Sequence, residues 1–322
     1  MNDLFPPNSS SSLSQERVCA VVVTFRRPGL LRECLGALQS QTRPVDHILV
    51  IDNASNDGTP DAVRAEFPGI EVVELRENSG GAGGFFEGMK RAYDAGFDWF
   101  WLMDDDGRPA PDCLERLLAW SHPLAAMVPL QQNSDGKQYG FFRWRGRGVD
   151  VTAPIVEGGR PVKGDYAFAF VGPLISRAVA QKVGFPRADF FIWFDDWEYA
   201  LRVRHRSRAD VILVPDALFF HDFGGKEREL SFLGRVTRRS DQPPWKTYYE
   251  ARNQLWTMTR SRRRPRELPV YARTHLNALM GDILFTPDRW ERARLRLRGV
   301  LDGVLGRMGK RVSPSANTGR KS

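Results

Sequence analysis

The feature of this sequence that most restricts its fold is an apolar run that ends in three consecutive aspartates. Residues 99–103 are all apolar, as in a strand that is buried on both faces of a parallel sheet. Residues 104–106 are aspartates, and adjacent carboxylates repel one another unless a cation lies among them. Because ligands bind at the carboxyl ends of parallel strands, this edge is a candidate site for Mg²⁺ or Mn²⁺ and a diphosphate. Taken alone, the triplet is better explained as a solvated acidic turn, and it is the other motifs of the chain that favour the metal site.

Strand-like and helix-like segments alternate along the first half of the chain. Residues 18–25, 48–51 and 70–75 are predicted strands, each followed by a segment of helical periodicity. This alternation predicts a parallel, right-handed α/β sheet. At its carboxyl edge lie Asp52, a Gly-rich loop at residues 77–85, and the aspartate triplet. The loop is neither a P-loop nor a dinucleotide fingerprint, so we interpret it as a tight turn or as a close approach of the backbone to a nucleotide or sugar.

A second acidic cluster lies within the aromatic segment DFFIWFDDWEY, residues 189–199. One interpretation is that its carboxylates cap the exposed N–H groups of a helix that begins near Asp195. We favour a general base here, because aromatic burial raises a carboxylate pKa and aromatic faces bind the apolar faces of sugars. His221 is a candidate third metal ligand, although a lone histidine is more often structural. Gly172, in a strand predicted at residues 168–176, would permit close approach by a ligand or by another backbone segment.

Charge and composition limit the classes of partner. The chain has 47 Lys and Arg against 39 Asp and Glu, a net charge of +8, and the basic excess lies late in the sequence. This favours phosphates or anionic lipid over nucleic acid, because no stacking platform or recognisable nucleic-acid module accompanies the basic segments. The three scattered cysteines fit thiols in a reducing cytosol. Neither a secretory signal nor a bilayer-spanning run is visible, so we expect a soluble or peripheral protein.

Changes in composition predict the domain boundaries. Residues 1–15 and 313–322 are predicted to be disordered tails, 16–232 a catalytic domain, and 233–312 a basic helical region. A helix predicted at residues 288–311 carries an apolar stripe with arginines elsewhere. The stripe consists of Trp290, Leu297, Leu301, Val304, Leu305 and Met308. It fits packing against the catalytic domain and binding to an anionic membrane surface equally well.

Together these motifs resemble the inverting glycosyltransferases of family 2, which have the GT-A fold. The matching segments occur in the family's order at residues 21–25, 50–55, 78–81, 104–106, 194–198, 221 and 248–253. The segments NSGGAGGF and WLMDDD look closest to bacterial galactofuranosyltransferases, and rhamnosyltransferases of the family share much of the pattern. The family more often has Glu-Asp where this chain has Asp195-Asp196, which also favours galactofuranosyl transfer. The resemblance implies a mostly parallel α/β GT-A domain with a C-terminal helical extension.

The resemblance also implies a role for each matched residue. Asp196 would be the catalytic base. The ligands of Mn²⁺ or Mg²⁺ would be Asp104, Asp106 and His221. The nucleotide-sugar would be bound by Thr24, Asp52, Asn53, Asn78, Gly80, Gly81 and Asp105, with Asp52 on the uracil ring. The acceptor or donor sugar would be held by Trp193, Asp195 and Glu198, and we place Gly172 with them.

We therefore expect metal-dependent, inverting transfer of galactofuranose from UDP-galactofuranose to a lipid-linked glycan, in the synthesis of cell wall or surface polysaccharide. The enzyme would be cytoplasmic and peripheral at the inner face of the membrane. Rhamnosyl transfer from dTDP-rhamnose is the alternative within the family. An alternative of another class is a catalytically silent sugar- or lipid-binding protein, which the intact acidic residues, His221 and Asp196 disfavour.

Overall fold

The computed structural model describes residues 16–139, 142–144, 149–151, 161–163, 167–222, 227–232, 235–240, 242–261 and 268–314. They belong to two compact units. The first unit contains the chain up to residue 188, apart from residues 146–148, and then residues 196–222. The second contains residues 189–195 and the chain after residue 222. The predicted tail at residues 1–15 and most of that at residues 313–322 lie outside the described residues.

The first unit is built on a sheet whose first four strands are parallel. These strands are β1 (Val18–Thr24), β2 (His47–Asp52), β3 (Glu71–Glu74) and β4 (Trp99–Asp104), in the order β3-β2-β1-β4. The helices between them are α1 (Pro28–Gln39), α2 (Thr59–Glu66) and α3 (Gly80–Asp94). All of β1 and most of β4 are buried, as the apolar runs predict.

Beyond β4 the sheet is mixed. β11 (Val171–Ser176) is antiparallel to β4 and to β6 (Ala125–Gln132), and β12 (Asp210–Phe220) is parallel to β6. The shorter strands are β5 (Arg108–Pro109), β7 (Gln138–Tyr139), β10 (Val162–Lys163), and a separate hairpin of β8 (Phe142–Trp144) and β9 (Val149–Val151). The remaining helices up to residue 202 are α4 (Cys113–Leu118), α5 (Arg177–Val183) and α6 (Asp195–Arg202). The prediction of a mostly parallel α/β sheet is confirmed, with the antiparallel pairs on the far side of β4 from β1.

The Gly-rich segment is mostly helix. Helix α3 begins at Gly80, so the loop predicted at residues 77–85 ends there. A Cβ atom on Gly84 would lie 2.5 Å from Val23 Cγ1, and one on Gly88 would lie 2.3 Å from Val21 Cγ1. These two glycines therefore let α3 approach β1 closely.

The second unit is mainly helical. It contains α7 (Pro244–Trp256), α8 (Leu268–Phe285), α9 (Arg289–Leu305), and a hairpin of β13 (Glu227–Phe232) and β14 (Arg235–Ser240). Helix α9 packs tightly on α7, since a Cβ atom on Gly299 would lie 2.4 Å from the carbonyl oxygen of Tyr248. The helix predicted at residues 288–311 ends at Leu305, because Gly306 takes a left-handed conformation with φ +67°. In the described part of the chain, no helix combines the length and apolarity that crossing a membrane requires.

The apolar stripe of α9 faces outward. Trp290 is 72% exposed and Leu297 57% exposed, and Leu301, Val304 and Leu305 are also exposed. The opposite face, with Gly299 and Gly303, is buried. On α8, large apolar side chains are exposed at a spacing of four residues: Leu276, Met280 and Leu284. Within the described part of the second unit, these five side chains of α9 therefore pack on no other helix, and Met308 is half-buried.

Candidate active site

Charged side chains of the first unit meet where β1 and β4 end. Asp105 is buried, and its Oδ2 accepts a hydrogen bond from Thr24 Oγ1 at 2.7 Å. Arg27 Nη1 lies 3.2 Å from Asp105 Oδ1 and 2.9 Å from Asp106 Oδ2. Arg27 thus supplies the positive charge that adjacent carboxylates need. It was not among the predicted site residues, and the available signal was the pair Arg26-Arg27 directly after β1.

The carboxyls of Asp105 and Asp106 have opposite pKa shifts. Burial raises the pKa of Asp105, against the hydrogen bond from Thr24 and the charge of Arg27. Burial also acts on Asp106, but the hydrogen bond and charge of His221, with the charge of Arg27, hold its pKa below the usual value. Asp106 is therefore the carboxylate of this pair that stays ionised most readily.

His221 follows directly after β12 and lies beside Asp106. Its Nε2 is 3.4 Å from Asp106 Oδ1, and its backbone N–H donates to the carbonyl oxygen of Gln132 at 3.0 Å. The structure thus brings together two of the three predicted metal ligands. Asp104 ends β4 and is half-buried, and its carbonyl oxygen accepts a hydrogen bond from the backbone N–H of Gly107 at 3.2 Å.

The donor set of this edge fits a divalent ion that arrives with a phosphate. Within the described residues, no three His, Cys, Asp or Glu side chains group closely enough to hold a metal ion by themselves. Magnesium-like ions, however, are usually bound by one or two carboxylates, with substrate phosphates and waters as the other ligands. The pair of Asp106 and His221 meets that requirement.

Asp52 ends β2 and Asn53 follows it, and their side chains bind different kinds of partner. Asp52 Oδ2 accepts a hydrogen bond from the backbone N–H of Ser55 at 2.9 Å, whereas its buried Oδ1 accepts none from the described residues. Since an unsatisfied buried acceptor is costly, Oδ1 is suited to a donor group on a ligand. Asn53 is used internally, because its Oδ1 accepts from the backbone N–H of Ser79 at 2.8 Å and its Nδ2 donates to the carbonyl oxygen of Gly80 at 2.7 Å.

The predicted glycine positions differ in their surroundings. Asn78 Oδ1 accepts a hydrogen bond from the backbone N–H of Gly80 at 2.8 Å, which leads the chain into α3. A Cβ atom on Gly81 would meet nothing within 4 Å, so this position borders open space. Gly172 has φ +77°, and a Cβ atom there would lie 2.4 Å from the ring of Phe219. Gly172 therefore allows close approach by a protein side chain, and its placement with the sugar site stays a prediction.

Helix α6 carries the predicted base. Asp196 is partly buried, its Oδ1 accepts a hydrogen bond from the backbone N–H of Trp197 at 2.7 Å, and burial raises its pKa to about 6. A carboxyl with this pKa accepts a proton readily near neutral pH.

Glu198 is 2% exposed, and both its oxygens accept hydrogen bonds from Arg202 Nε at 2.8 Å. Arg202 also donates to the carbonyl oxygen of Val183, so Arg202 ties α6 to α5 and Glu198 holds Arg202 in place. Sugar binding by Glu198 would require breaking this buried ion pair.

The aromatic segment before α6, in the second unit, has an unusual backbone. Phe191, Trp193 and Phe194 have φ values of +67°, +71° and +64°. A left-handed conformation costs a residue other than glycine on the order of 1–3 kcal/mol and persists only where the surroundings impose it. Trp193 is partly exposed, and Asp195 is buried at the first position of α6. Strain of this kind is typical of functional segments.

Comparisons with known sequences give the family. The sequence profile described as "Glycosyl transferase family 2" matches residues 19–158. The chain is 34% identical over 254 residues to galactofuranosyltransferase GlfT1 of Mycolicibacterium smegmatis, an alignment that covers 76% of this chain and 83% of that protein. It is 23% identical over 298 residues to dTDP-rhamnosyl transferase RfbF of Shigella flexneri, covering 90% of this chain and 96% of that one.

Comparisons with solved structures give the fold. GalNAc-T7 with UDP, GalNAc and Mn²⁺ has a TM-score of 0.59 at 14% identity. The alignment covers 90% of this chain and 56% of that one, so this chain spans little more than half its length. Mannosyltransferase PcManGT from Pyrobaculum calidifontis, in complex with GDP-Man and Mn²⁺, has a TM-score of 0.54 at 17% identity, covering 95% of this chain and 90% of that one.

These similarities confirm the predicted family, the predicted enzyme class and the predicted fold. Because the sequence identities to the solved structures are low, these similarities show the fold alone. That fold has the parallel strands and the C-terminal helices described above. The 34% identity to GlfT1 extends over most of both chains and therefore shows that this chain belongs to the family. The chain is an enzyme of glycosyltransferase family 2, with a GT-A fold and with bacterial galactofuranosyltransferases among its relatives.

Proposed function

We propose that this enzyme transfers galactofuranose from UDP-galactofuranose to a lipid-linked glycan, with inversion at the anomeric carbon and with a divalent metal ion. The observation that carries the catalytic part is the meeting of Asp106 and His221 at the strand ends, in the same unit as Asp196. The galactofuranosyl donor is inferred from the 34% identity to galactofuranosyltransferase GlfT1. The lipid-linked acceptor is inferred from the resemblance of the segments NSGGAGGF and WLMDDD to bacterial galactofuranosyltransferases.

The donor would bind along the carboxyl edge of the sheet. Asp52 Oδ1 lacks a donor among the described residues and would accept the uracil N–H. Thr24 and Asp105 would line the nucleotide pocket near the ribose, and the open space beside Gly81 would admit the nucleotide-sugar. In our proposal, Asn53 and Asn78 position this edge through their hydrogen bonds to the start of α3.

The leaving diphosphate would be bound at the aspartate triplet. Asp106 and His221 would hold Mn²⁺ or Mg²⁺, with Asp104 as the third candidate ligand. The ion, when bound, would neutralise the charge of the leaving diphosphate. Arg27 is half-exposed beside the triplet and would add positive charge there.

Asp196 would act on the acceptor. It would accept the proton of the acceptor hydroxyl while that oxygen forms the new bond to the anomeric carbon and the bond to the diphosphate breaks. The sugar passes through an oxocarbenium-like state, and a single attack from the opposite face inverts its configuration. Trp193 and Asp195, which precede Asp196 in the chain, would hold the acceptor sugar. No covalent nucleophile is required.

We also infer that α8 and α9 bind the enzyme to an anionic membrane surface, at the cytoplasmic inner face where a lipid-linked acceptor would be presented. The support is the row of exposed apolar side chains, which arginines accompany: Arg289, Arg294, Arg298, Arg307 and Arg311 are all exposed. Each basic residue near an anionic leaflet contributes about 1 kcal/mol. The sequence has further arginines at positions 262, 263, 264 and 266, which lie outside the described residues.

A screen of nucleotide-sugars tests the proposed reaction. UDP-galactofuranose and dTDP-rhamnose are offered in parallel with Mn²⁺ and an octyl galactofuranoside acceptor, and nucleotide release and product anomer are measured. We expect UDP release with inversion. Release of dTDP alone would favour the second candidate, rhamnosyl transfer, which the similarity to RfbF over 96% of its length supports. Retention of configuration would contradict the assignment of Asp196 as the single base.

A further inference from the structure

The strained aromatic segment at residues 190–194 has buried and exposed side chains. Phe190 and Phe191 are buried, and Phe191 packs on Tyr249 with the ring centroids 4.9 Å apart. Trp193 and Phe194 are partly exposed although their backbone is left-handed. Because such a conformation is unfavourable for aromatic residues, contacts elsewhere in the second unit must hold it.

Asn253, on α7, makes contacts of this kind through a single nitrogen. Its Nδ2 lies 3.0 Å from the carbonyl oxygen of Phe190, and 2.8 Å from those of Ile192 and Trp193. An amide nitrogen has two N–H donors, so at least one of them is shared between two carbonyl groups. Asn253 is completely buried. One side chain therefore fixes three carbonyl groups of a non-helical segment.

Arg252 orients this amide. Its Nε donates to Asn253 Oδ1 at 2.8 Å, which leaves Nδ2 facing the segment. Its Nη2 donates to the carbonyl oxygen of Phe190 at 2.9 Å and to that of Asp189 at 3.2 Å. The guanidinium is completely buried and lies over the Tyr249 ring, 4.9 Å from its centroid. Since a buried charge is costly unless it is hydrogen-bonded, an arginine used in this way indicates that the conformation of the segment matters.

From these contacts we infer that Asn253, oriented by Arg252, is a positioning residue for acceptor binding. It holds the carbonyl groups of residues 190, 192 and 193 so that the Trp193 ring is presented to the acceptor sugar and the chain enters α6 in a fixed conformation. The inference depends on the part of the proposed function that assigns Trp193 to the acceptor. It does not depend on which nucleotide-sugar is the donor.

Asn253→Ala removes the three hydrogen bonds and tests the inference. With octyl galactofuranoside as acceptor, we expect the acceptor KM to rise at least about tenfold and kcat to fall, while the Kd for UDP stays within about twofold. Gln254→Ala is the matched control, since Gln254 is the next residue of α7 and its Oε1 pairs with His275 Nε2 at 2.6 Å. This control should leave the acceptor KM unchanged. An unchanged acceptor KM in folded Asn253→Ala overturns the inference.

A double-mutant cycle with Trp193→Ala separates positioning from a general loss of structure. If Asn253 acts through Trp193, the double variant should have the same acceptor KM as Trp193→Ala alone, whereas additive effects overturn the inference. Should Asn253→Ala fail to fold, Trp193→Ala decides, because a wild-type acceptor KM in that variant also overturns the inference.

Calorimetric titration of the acceptor into the UDP-bound enzyme measures acceptor binding separately from the proposed reaction. A wild type that binds the acceptor but releases no UDP from its donor contradicts only the reaction.

Discussion

At the scale of single residues, the acidic groups differ in what already binds them. Both oxygens of Glu198 are paired with Arg202, and Asp105 is held by Thr24 and Arg27. Burial raises the pKa of all three carboxyls, but the hydrogen bond to Asp196 comes from a backbone N–H and not from an arginine. A carboxyl that is destabilised in its ionised form is a better proton acceptor than one in an ion pair. This difference, more than the number of acids, identifies Asp196 as the candidate base.

Asp196→Asn should lower kcat by about 10²–10⁴-fold while UDP binding persists, because a general base contributes that much. In the wild type, kcat/KM should fall as the pH drops below about 6, since the base must be ionised, and this limb should be absent from the residual activity of the variant. A loss of donor affinity with unchanged kcat would assign Asp196 to the donor site instead.

The same variant should be at least as stable as the wild type at neutral pH. The pKa of Asp196 is raised in the folded protein from 3.8 to about 6, so the folded state binds the proton more tightly than the unfolded state. The contribution of this group to stability is therefore present below about pH 4 and lost as the pH rises through about 6. Asparagine does not ionise, so the thermal midpoint of Asp196→Asn relative to the wild type should increase between pH 4 and pH 7. A lower midpoint at pH 7 would contradict this prediction.

His221→Ala and Asp106→Ala should weaken metal binding with the fold intact. Each removes one of two groups that meet at 3.4 Å, so we expect at least about a tenfold higher Mn²⁺ concentration for half-saturation. Binding is measured by the electron paramagnetic resonance of free Mn²⁺ in the presence of UDP, independently of activity. His47→Ala is the control, since His47 pairs with Glu71 at the start of β2. Full wild-type activity in excess chelator would refute the metal requirement.

At the scale of elements, the sequence predicted the four parallel strands of the first unit well, because each coincides with a local run of apolar residues, but it did not predict β6. It did not predict where α3 begins, since glycine has a low helix propensity and only the contact with β1 explains glycines inside the helix. The sequence predicted the apolar stripe of α9 but not whether the stripe is buried or exposed. The available signal was Gly299 and Gly303 on the opposite face, where the backbone of α7 approaches. Arg27 lies far from Asp105 and Asp106 in the sequence, so its pairing with them could not be predicted from a local pattern.

Gly88→Ala and Gly81→Ala should separate packing from ligand access in α3. A Cβ atom at Gly88 would lie 2.3 Å from Val21 Cγ1, so the variant should lose about 1–3 kcal/mol in denaturant unfolding. At Gly81 nothing lies within 4 Å, so alanine should be neutral or stabilising by up to about 1 kcal/mol. Because we propose that Gly81 borders the nucleotide-sugar, we also expect Gly81→Ala to have a higher donor KM than the wild type. Equal stability losses in the two variants would refute the packing argument.

At the scale of the whole molecule, the net charge of +8 and the outward stripe of α9 predict reversible binding to anionic vesicles. The wild type should co-sediment with phosphatidylglycerol vesicles at low salt and dissociate at high salt, because surface attraction is screened within a Debye length of about 10 Å at 0.1 M. The double variant Leu297→Glu, Leu301→Glu should stay in the supernatant and still glycosylate a soluble acceptor. Leu30→Glu, at an exposed leucine of α1, is the control. Vesicle binding by the double variant would refute this surface.

The contacts that hold residues 190–194 have a consequence for how such an enzyme diversifies. The hydrogen bonds from Arg252 and Asn253 to this segment end on main-chain oxygens, which every amino acid supplies. Replacing Trp193 or Phe194 therefore leaves those bonds available, whereas replacing Phe191 disturbs its packing on Tyr249. The side chains at positions 193 and 194 can therefore vary while Arg252 and Asn253 keep the backbone of the segment in the same conformation. Under the proposed role of Trp193, libraries randomised at these two positions, with Arg252 and Asn253 retained, should yield enzymes with a new acceptor range.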